Sequence, residues 1–123
     1  MAAFKSVEEI DAWKRGCRLA VHIYEITQTS QFDKDWGLRD QLRRSAVSIS
    51  SNIAEGFERG GTTEFNRFIR IGKGSCGELR TQIYIAQAIG YVEKAIAQQI
   101  VTELKEISSM LSGLSKYLKE NQH

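Results

Sequence analysis

Two short stretches hold most of the residues that could do chemistry. GKGSCG, Gly72 to Gly77, has the G-x-G-x-x-G spacing that lets a backbone approach a dinucleotide pyrophosphate, and it adds a thiol, Cys76, beside Ser75. SAVSISSNIAEGFER, Ser45 to Arg59, threads four serines and an asparagine through aliphatic residues. It could be a strand, a reactive serine site, or a helix with an unusual face. A dinucleotide loop needs a strand before it and a helix beginning at the loop. Here the apolar residues Phe65, Phe68, Gly72, Cys76, Leu79, Ile83 and Ala86 keep helical spacing straight through the motif, which places it inside a helix. A P-loop is excluded because Lys73 is followed by glycine. Three glycines within a helix cost about 1 kcal/mol each relative to alanine. A neighbouring helix or a ligand that approaches too closely for side chains would offset that.

Nucleophilic catalysis lacks its partners. Cys76 has no histidine nearby to activate it, since His22 and His123 stand towards opposite ends of the chain. The serines have no G-x-S-x-G elbow. No His, Cys, Asp and Glu group has metal-ligand spacing, and the inward-facing set of Glu-x-x-His pairs used by di-iron bundles is missing. The expectation is a protein that is not an enzyme and carries no metal or cofactor. A small-molecule site or enzyme centred on Ser48, Asn52, Glu55 and Cys76 ranks behind the binding readings.

Two lines of residues remain. In the serine-rich stretch, Leu42, Ala46, Ile49, Ile53 and Gly56 step by four and three, and Gln41, Ser45, Ser48, Asn52, Glu55 and Arg59 form a small, polar line beside them. That is a helix buried along two seams, and the polar seam must find hydrogen-bond partners, because an unsatisfied buried group costs about 1–3 kcal/mol. Across from Ser48, Asn52 and Glu55 another helix is expected, rather than another subunit or a ligand; Glu55 and Arg59 can pair with each other. In the glycine-bearing helix, Asn66, Arg70, Lys73, Gly77, Arg80 and Tyr84 make a basic line with a gap at Gly77 and an aromatic at its end. It is either a solvated face or a phosphate-binding groove with Tyr84 free to stack, to which Arg43 and Arg44 would add if the helices are adjacent.

The elements that position these lines are four helices. The chain has no proline, and its breaks fall at Thr29 to Gly37, Gly60 to Thr63, and Gly90-Tyr91. A capping box, Ser6 with Glu9, predicts the first start. Ile10, Trp13, Cys17, Ala20 and Tyr24 then mark one face, and Leu19, Ile23 and Ile26 a second. The second helix follows Asp35 and runs to Gly60-Gly61. Thr62 or Thr63 caps the third, with Glu64 in its first turn. The fourth carries Ile100, Leu104, Ile107, Leu111, Leu114 and Leu118 at four-three spacing. Helices of roughly 20–28 residues joined by short loops predict an all-α, antiparallel up-down-up-down four-helix bundle. The surplus apolar stripe of the first helix predicts self-association.

Composition agrees. With 123 residues, 41% of them hydrophobic, the chain is expected to form a single bundle domain over 1–123. The net charge of +2 is too weak to assert a polyanion partner, but Gly37 to Gly90 holds eight basic against five acidic residues, so any such contact centres there. Two distant cysteines fit a reducing cytoplasm. MAAFKSVEEIDAW carries acids where a signal peptide needs an apolar core, and no apolar run approaches the ~20 residues that span a bilayer.

GLRDQLRRSAVSISSNIAEGFERG (Gly37 to Gly60) and EFNRFIRIGKGSCGELRTQI (Glu64 to Ile83) resemble the bacterial four-helix bundle family encoded in intervening sequences of large-subunit ribosomal RNA genes. Some members of that family are known as ribosomal proteins, and the family includes the accessory variability determinant of diversity-generating retroelements. The resemblance extends to Trp13, Ile23-Tyr24 and Leu111 to Leu118. It implies an antiparallel bundle that assembles into a pentameric ring with a basic surface and has no known enzymatic activity. It also implies RNA or DNA, and a reverse transcriptase or a ribosomal component, as candidate partners. The signature residues on this chain are Gln41, Arg43, Arg44, Ser48, Asn52, Ile53, Ala54, Glu55, Gly56, Arg59, Gly74, Ser75, Glu78 and Leu79. The proline often found before the second helix is missing. The reading is a cytoplasmic, non-catalytic, oligomeric bundle that contacts nucleic acid through Arg43, Arg44, Arg70, Lys73, Arg80 and Tyr84. Its rival is a protein-interaction scaffold with no nucleic-acid contact.

Overall fold

Glycines in the left-handed region end two of the helices, and polar clusters end the rest. The computed structural model describes residues 4–121; His123 and the first three residues of the amino-terminal stretch lie outside them. Helix α1 spans Asp11–Ile26, a short α2 spans Ser30–Asp33, and α3 spans Trp36–Glu58. Helix α4 spans Thr62–Ala88 and α5 spans Lys94–Glu120. Gly60 (φ 87°) and Gly90 (φ 84°) reverse the chain after α3 and α4, a backbone state that side chains disfavour.

The four long helices form the expected antiparallel bundle. Helix α3 lies between α1 and α4, α4 lies between α3 and α5, and α5 closes the ring against α1. The four-three seams are the core: Leu42, Ile49 and Ile53 of α3, Ile69, Leu79 and Ile83 of α4, and Ile100, Leu104, Ile107 and Leu111 of α5 are essentially inaccessible to water. At about 25 cal/mol per Å² of apolar surface, burial of this set is the main stabilising term. Arg15 fastens α1 to α5 by bonding Glu103 and Glu106, and those bonds hold its guanidinium charged.

The structure departs from expectation in two places, the first at the amino-terminal end. Ser6 caps only a single 3-10 turn, Val7–Glu9, with no side-chain bond, and α1 begins at Asp11. Glu9 accepts from the Lys5 N–H (3.1 Å), so the capping box does not close. Both Val7 and Ile10 are buried, and the extended backbone at Ile10 (φ −85°, ψ 114°) tucks them into the core. Their burial outweighs a cap worth about 1 kcal/mol. In α1 the buried line is Ala12, Gly16, Leu19 and Ile23, while Trp13, Cys17 and Ala20 are half-buried and Tyr24 is exposed.

The second departure lies in the Thr29 to Gly37 break, which holds α2 rather than a plain loop. Phe32 is fully buried and meets the Tyr91 ring edge-on (centroids 5.1 Å, 70°). The Tyr91 hydroxyl donates to Asp35 Oδ2 (3.2 Å), while Asp35 Oδ1 accepts from Leu38 N and so caps α3. Burial, then the hydrogen bond to Asp35, raises the Tyr91 pKa. Phe32, Tyr91 and Asp35 thereby clasp both loops at one end of the bundle.

Candidate nucleic-acid interface

The small, polar seam of α3 meets α4. Asn52 Nδ2 donates to the Ser48 carbonyl and to Ser48 Oγ (both 2.8 Å), Ser48 Oγ lies 2.8 Å from Ser75 Oγ, and Ser75 donates to the Ile71 carbonyl (3.3 Å). Either hydroxyl can donate between the two serines. The chain of bonds satisfies hydroxyls that would otherwise be buried without partners. What lies across from Ser48 and Asn52 is therefore another helix. Glu55 stands outside this network, exposed and paired with Arg59 (3.2 Å). Gln41 and Glu78 are exposed as well.

Close approach explains the sequence on this side. A Cβ on Gly56 would fall 2.7 Å from Phe68 Cβ and 3.2 Å from the Phe65 backbone. One on Gly16 would fall 2.2 Å from Ser50 Oγ, which donates to the Trp13 carbonyl across the α1–α3 contact. Gly72 faces the Ile49 carbonyl at ordinary contact distance. Gly74 and Gly77 differ: a Cβ there would meet nothing within 4 Å. The GKGSCG motif runs wholly within α4, with Cys76 buried and its thiol pushed up to about 11 by that burial.

The basic line of α4 faces α5. Lys73 Nζ donates to Ser112 Oγ (2.7 Å), and Asn66 accepts from Ser115. Further along, Tyr84 and Gln87 of α4 and Lys94, Ala97, Gln98, Val101, Thr102 and Lys105 of α5 line an open groove of about 620 Å³. No carboxylate lines this groove or interrupts the line from Asn66 to Tyr84. Arg70, Arg80, Lys94 and Lys105 have no ion-pair partner among the described residues. The carboxylates of α5's middle, Glu103 and Glu106, are turned to α1 and held by Arg15. Unpaired cations on one face sum to a positive potential.

Other expected residues go elsewhere. Arg43 is drawn to the α1 side of α3, where its Nε donates to Thr27 Oγ1 (2.9 Å) and its guanidinium covers the Tyr24 ring (4.5 Å). It does not join the α4 line although α3 and α4 are adjacent. Arg44, one residue and about 100° further round the helix, is exposed. Arg59 and Arg67 both stack on Phe68 and pair with Glu64, whose carboxyl the Arg67 bond holds below its usual range. Lys94, Gln98 and Lys105 were outside the sequence expectation. Their spacing of four and seven on α5 carries the signal, but the apolar seam of that helix hides it.

Among the described residues no three His, Cys, Asp or Glu side chains converge on a metal-sized site, and no helix is long and apolar enough to cross a membrane. No curated protein matches the chain. Among solved structures, a protein of unknown function from the S23 ribosomal protein family of Bacteroides thetaiotaomicron superposes with a TM-score of 0.79 at 20% identity, covering 85% of this chain and 95% of that one. At that identity the likeness speaks for the fold. The family of 23S rRNA-intervening sequence proteins matches residues 8–113, nearly the whole bundle. The chain belongs to the 23S rRNA-intervening sequence protein family.

Proposed function

We propose that the protein is a non-catalytic, oligomeric helical bundle that associates with RNA through the α4–α5 face. The observation that carries this reading is the groove: Lys94 and Lys105 line it with no carboxylate, beside Arg70 and Arg80, which have no ion-pair partner among the described residues, and Lys73, which bonds only a serine hydroxyl. The family description, which names 23S rRNA, favours RNA over DNA as the polyanion.

Phosphate contacts of this kind make affinity fall with salt, with a slope of about −0.7 to −0.9 per phosphate neutralised. Gel-shift titration with a structured RNA at two salt concentrations tests the reading. A salt-sensitive shift, weakened at least tenfold when Arg70, Lys73 and Arg80 are all replaced by glutamine, is expected. No shift at low salt would remove the reading.

Exposed apolar residues favour the oligomer. Ile71 and Ile85 of α4 and Ile89 at its end are exposed on one part of the bundle, and Val21 of α1 and Val47 of α3 on another. Two different apolar faces suit a head-to-tail contact that closes into a ring, the arrangement the family resemblance implies as a pentamer. Light scattering at micromolar concentration tests it, and a monomer mass would refute it.

A further inference from the structure

We infer that the α4–α5 groove around Tyr84 receives an unpaired nucleobase, so that the protein prefers single-stranded RNA to continuous duplex. This rests on the proposal that the same face binds RNA, and it goes further by assigning the groove a base as well as phosphates.

Tyr84 is 51% exposed and has no ring or hydrogen-bond partner among the described residues. Three other aromatics are covered by cations: Tyr24 by Arg43, Trp36 by Arg39, and Phe68 by Arg59 and Arg67. A free aromatic face beside a cation-lined groove is the arrangement on which single-stranded bases stack. The groove itself is not built for phosphate alone. Ala97 and Val101 are buried apolar residues, and Gln87, Gln98 and Thr102 bring amide and hydroxyl groups that can donate to or accept from a base edge. Its volume of about 620 Å³ falls within the ~300–1,000 Å³ of ligand clefts. Lys94 and Lys105 flank it for the adjoining phosphates.

The path continues along α4. Arg80, Lys73 and Arg70 follow Tyr84 at helical spacing, and Arg70 to Tyr84 spans about 21 Å at 1.5 Å per residue. Gly77 leaves the backbone uncovered between Lys73 and Arg80. A short run of nucleotides fits that length with one base seated on Tyr84. A duplex keeps its bases stacked inside and cannot present one without unpairing it, an energy of a few kcal/mol.

Fluorescence anisotropy with a labelled single-stranded RNA and with a duplex of the same length, at one ionic strength, tests the inference on the full chain. Charge alone favours the denser duplex, so a preference for the single strand is diagnostic. The wild type should bind the single strand at least tenfold more tightly. Tyr84→Ala should weaken that binding about 5- to 100-fold, far more than it weakens duplex binding, while Tyr84→Phe retains it, because the ring and not the hydroxyl makes the contact. Circular dichroism and light scattering should match wild type for both variants, since Tyr84 is exposed. Equal or tighter duplex binding, or a Tyr84→Ala variant that binds the single strand normally, would overturn the inference. If that occurs while the Arg70, Lys73 and Arg80 replacement still abolishes binding, the RNA-binding reading stands without the base site. If neither RNA binds at low salt, both fall together.

Discussion

Helix α4 has two sides, and they use the same residue types for opposite ends. Towards α3, its small and polar residues are consumed by packing: Gly72 faces the Ile49 carbonyl, Ser75 closes a hydrogen-bond chain with Ser48 and Asn52, and Phe65 and Phe68 fill the notch left by Gly56. Towards α5 and solvent, Gly74 and Gly77 have nothing against them, Arg70 and Arg80 have no acid, and Tyr84 has no stacking partner among the described residues. A glycine costs a helix about 1 kcal/mol wherever it stands. On the α3 side the chain itself supplies the compensation. On the other side nothing within the described chain does, and that is the side on which the proposed RNA contact lies.

Alkaline pH should strike the buried core of α4 hardest. Burial raises the Cys76 thiol from 9.0 to about 11, so the native state keeps a proton that the unfolded chain loses. That stabilisation is complete below pH 9 and is lost as pH climbs through about 11, at about 1.4 kcal/mol per pH unit in between. Urea melts from pH 8 to 11 should show this loss, and Cys76→Ala should remove it, separating it from the Tyr91 titration in the same range. An unchanged slope in that variant would show that Cys76 is not sealed.

Substitution on the α3 side comes next. Gly56→Ala places a methyl against Phe68 and the Phe65 backbone and should destabilise the protein by about 2 kcal/mol in denaturant melts, since neither neighbour is a flexible side-chain tip. Ser75→Ala removes a hydrogen-bond partner of the Ser48 hydroxyl and should cost about 1–1.5 kcal/mol, with the Ser48→Ala and Ser75→Ala pair costing less than the sum of the two singles.

The smallest effect sharpens the contrast most. Gly77→Ala has room for its methyl and should stabilise the protein by about 0.5–1 kcal/mol, while lowering RNA affinity by narrowing the approach to α4. A destabilised Gly77→Ala protein would place that glycine with Gly56 and erase the distinction between the two sides.

The sequence shows the packed side more fully than the open one. The seams of α3, α4 and α5 were legible because burial imposes a strict four-three period on apolar residues. The partner of the Ser48–Asn52 seam was legible as a helix, but not as Ser75, because spacing on one helix does not fix the register of its neighbour. Phe32 was missed because a lone aromatic in a polar break has no period to betray it. The α4 half of the basic groove could be read from Arg70, Lys73, Arg80 and Tyr84. The α5 half could not, because Lys94, Gln98 and Lys105 become neighbours of Tyr84 only when α4 and α5 pack antiparallel. Arg43 misled in the opposite way: it adjoins Arg44 in sequence, yet one residue of helix turns it to Thr27 and Tyr24.

The central claim is that unpaired cations on the α4–α5 face bind RNA phosphates. Its most direct test is the slope of log affinity against log salt for a structured RNA, measured for the wild type and for a variant carrying Arg80→Gln and Lys105→Gln. A slope of about −3 to −4 in the wild type, reduced in magnitude by about 1.5 in the variant with the fold unchanged, is the predicted result. A wild type that fails to bind at low salt, or a variant whose slope equals that of the wild type, would contradict it.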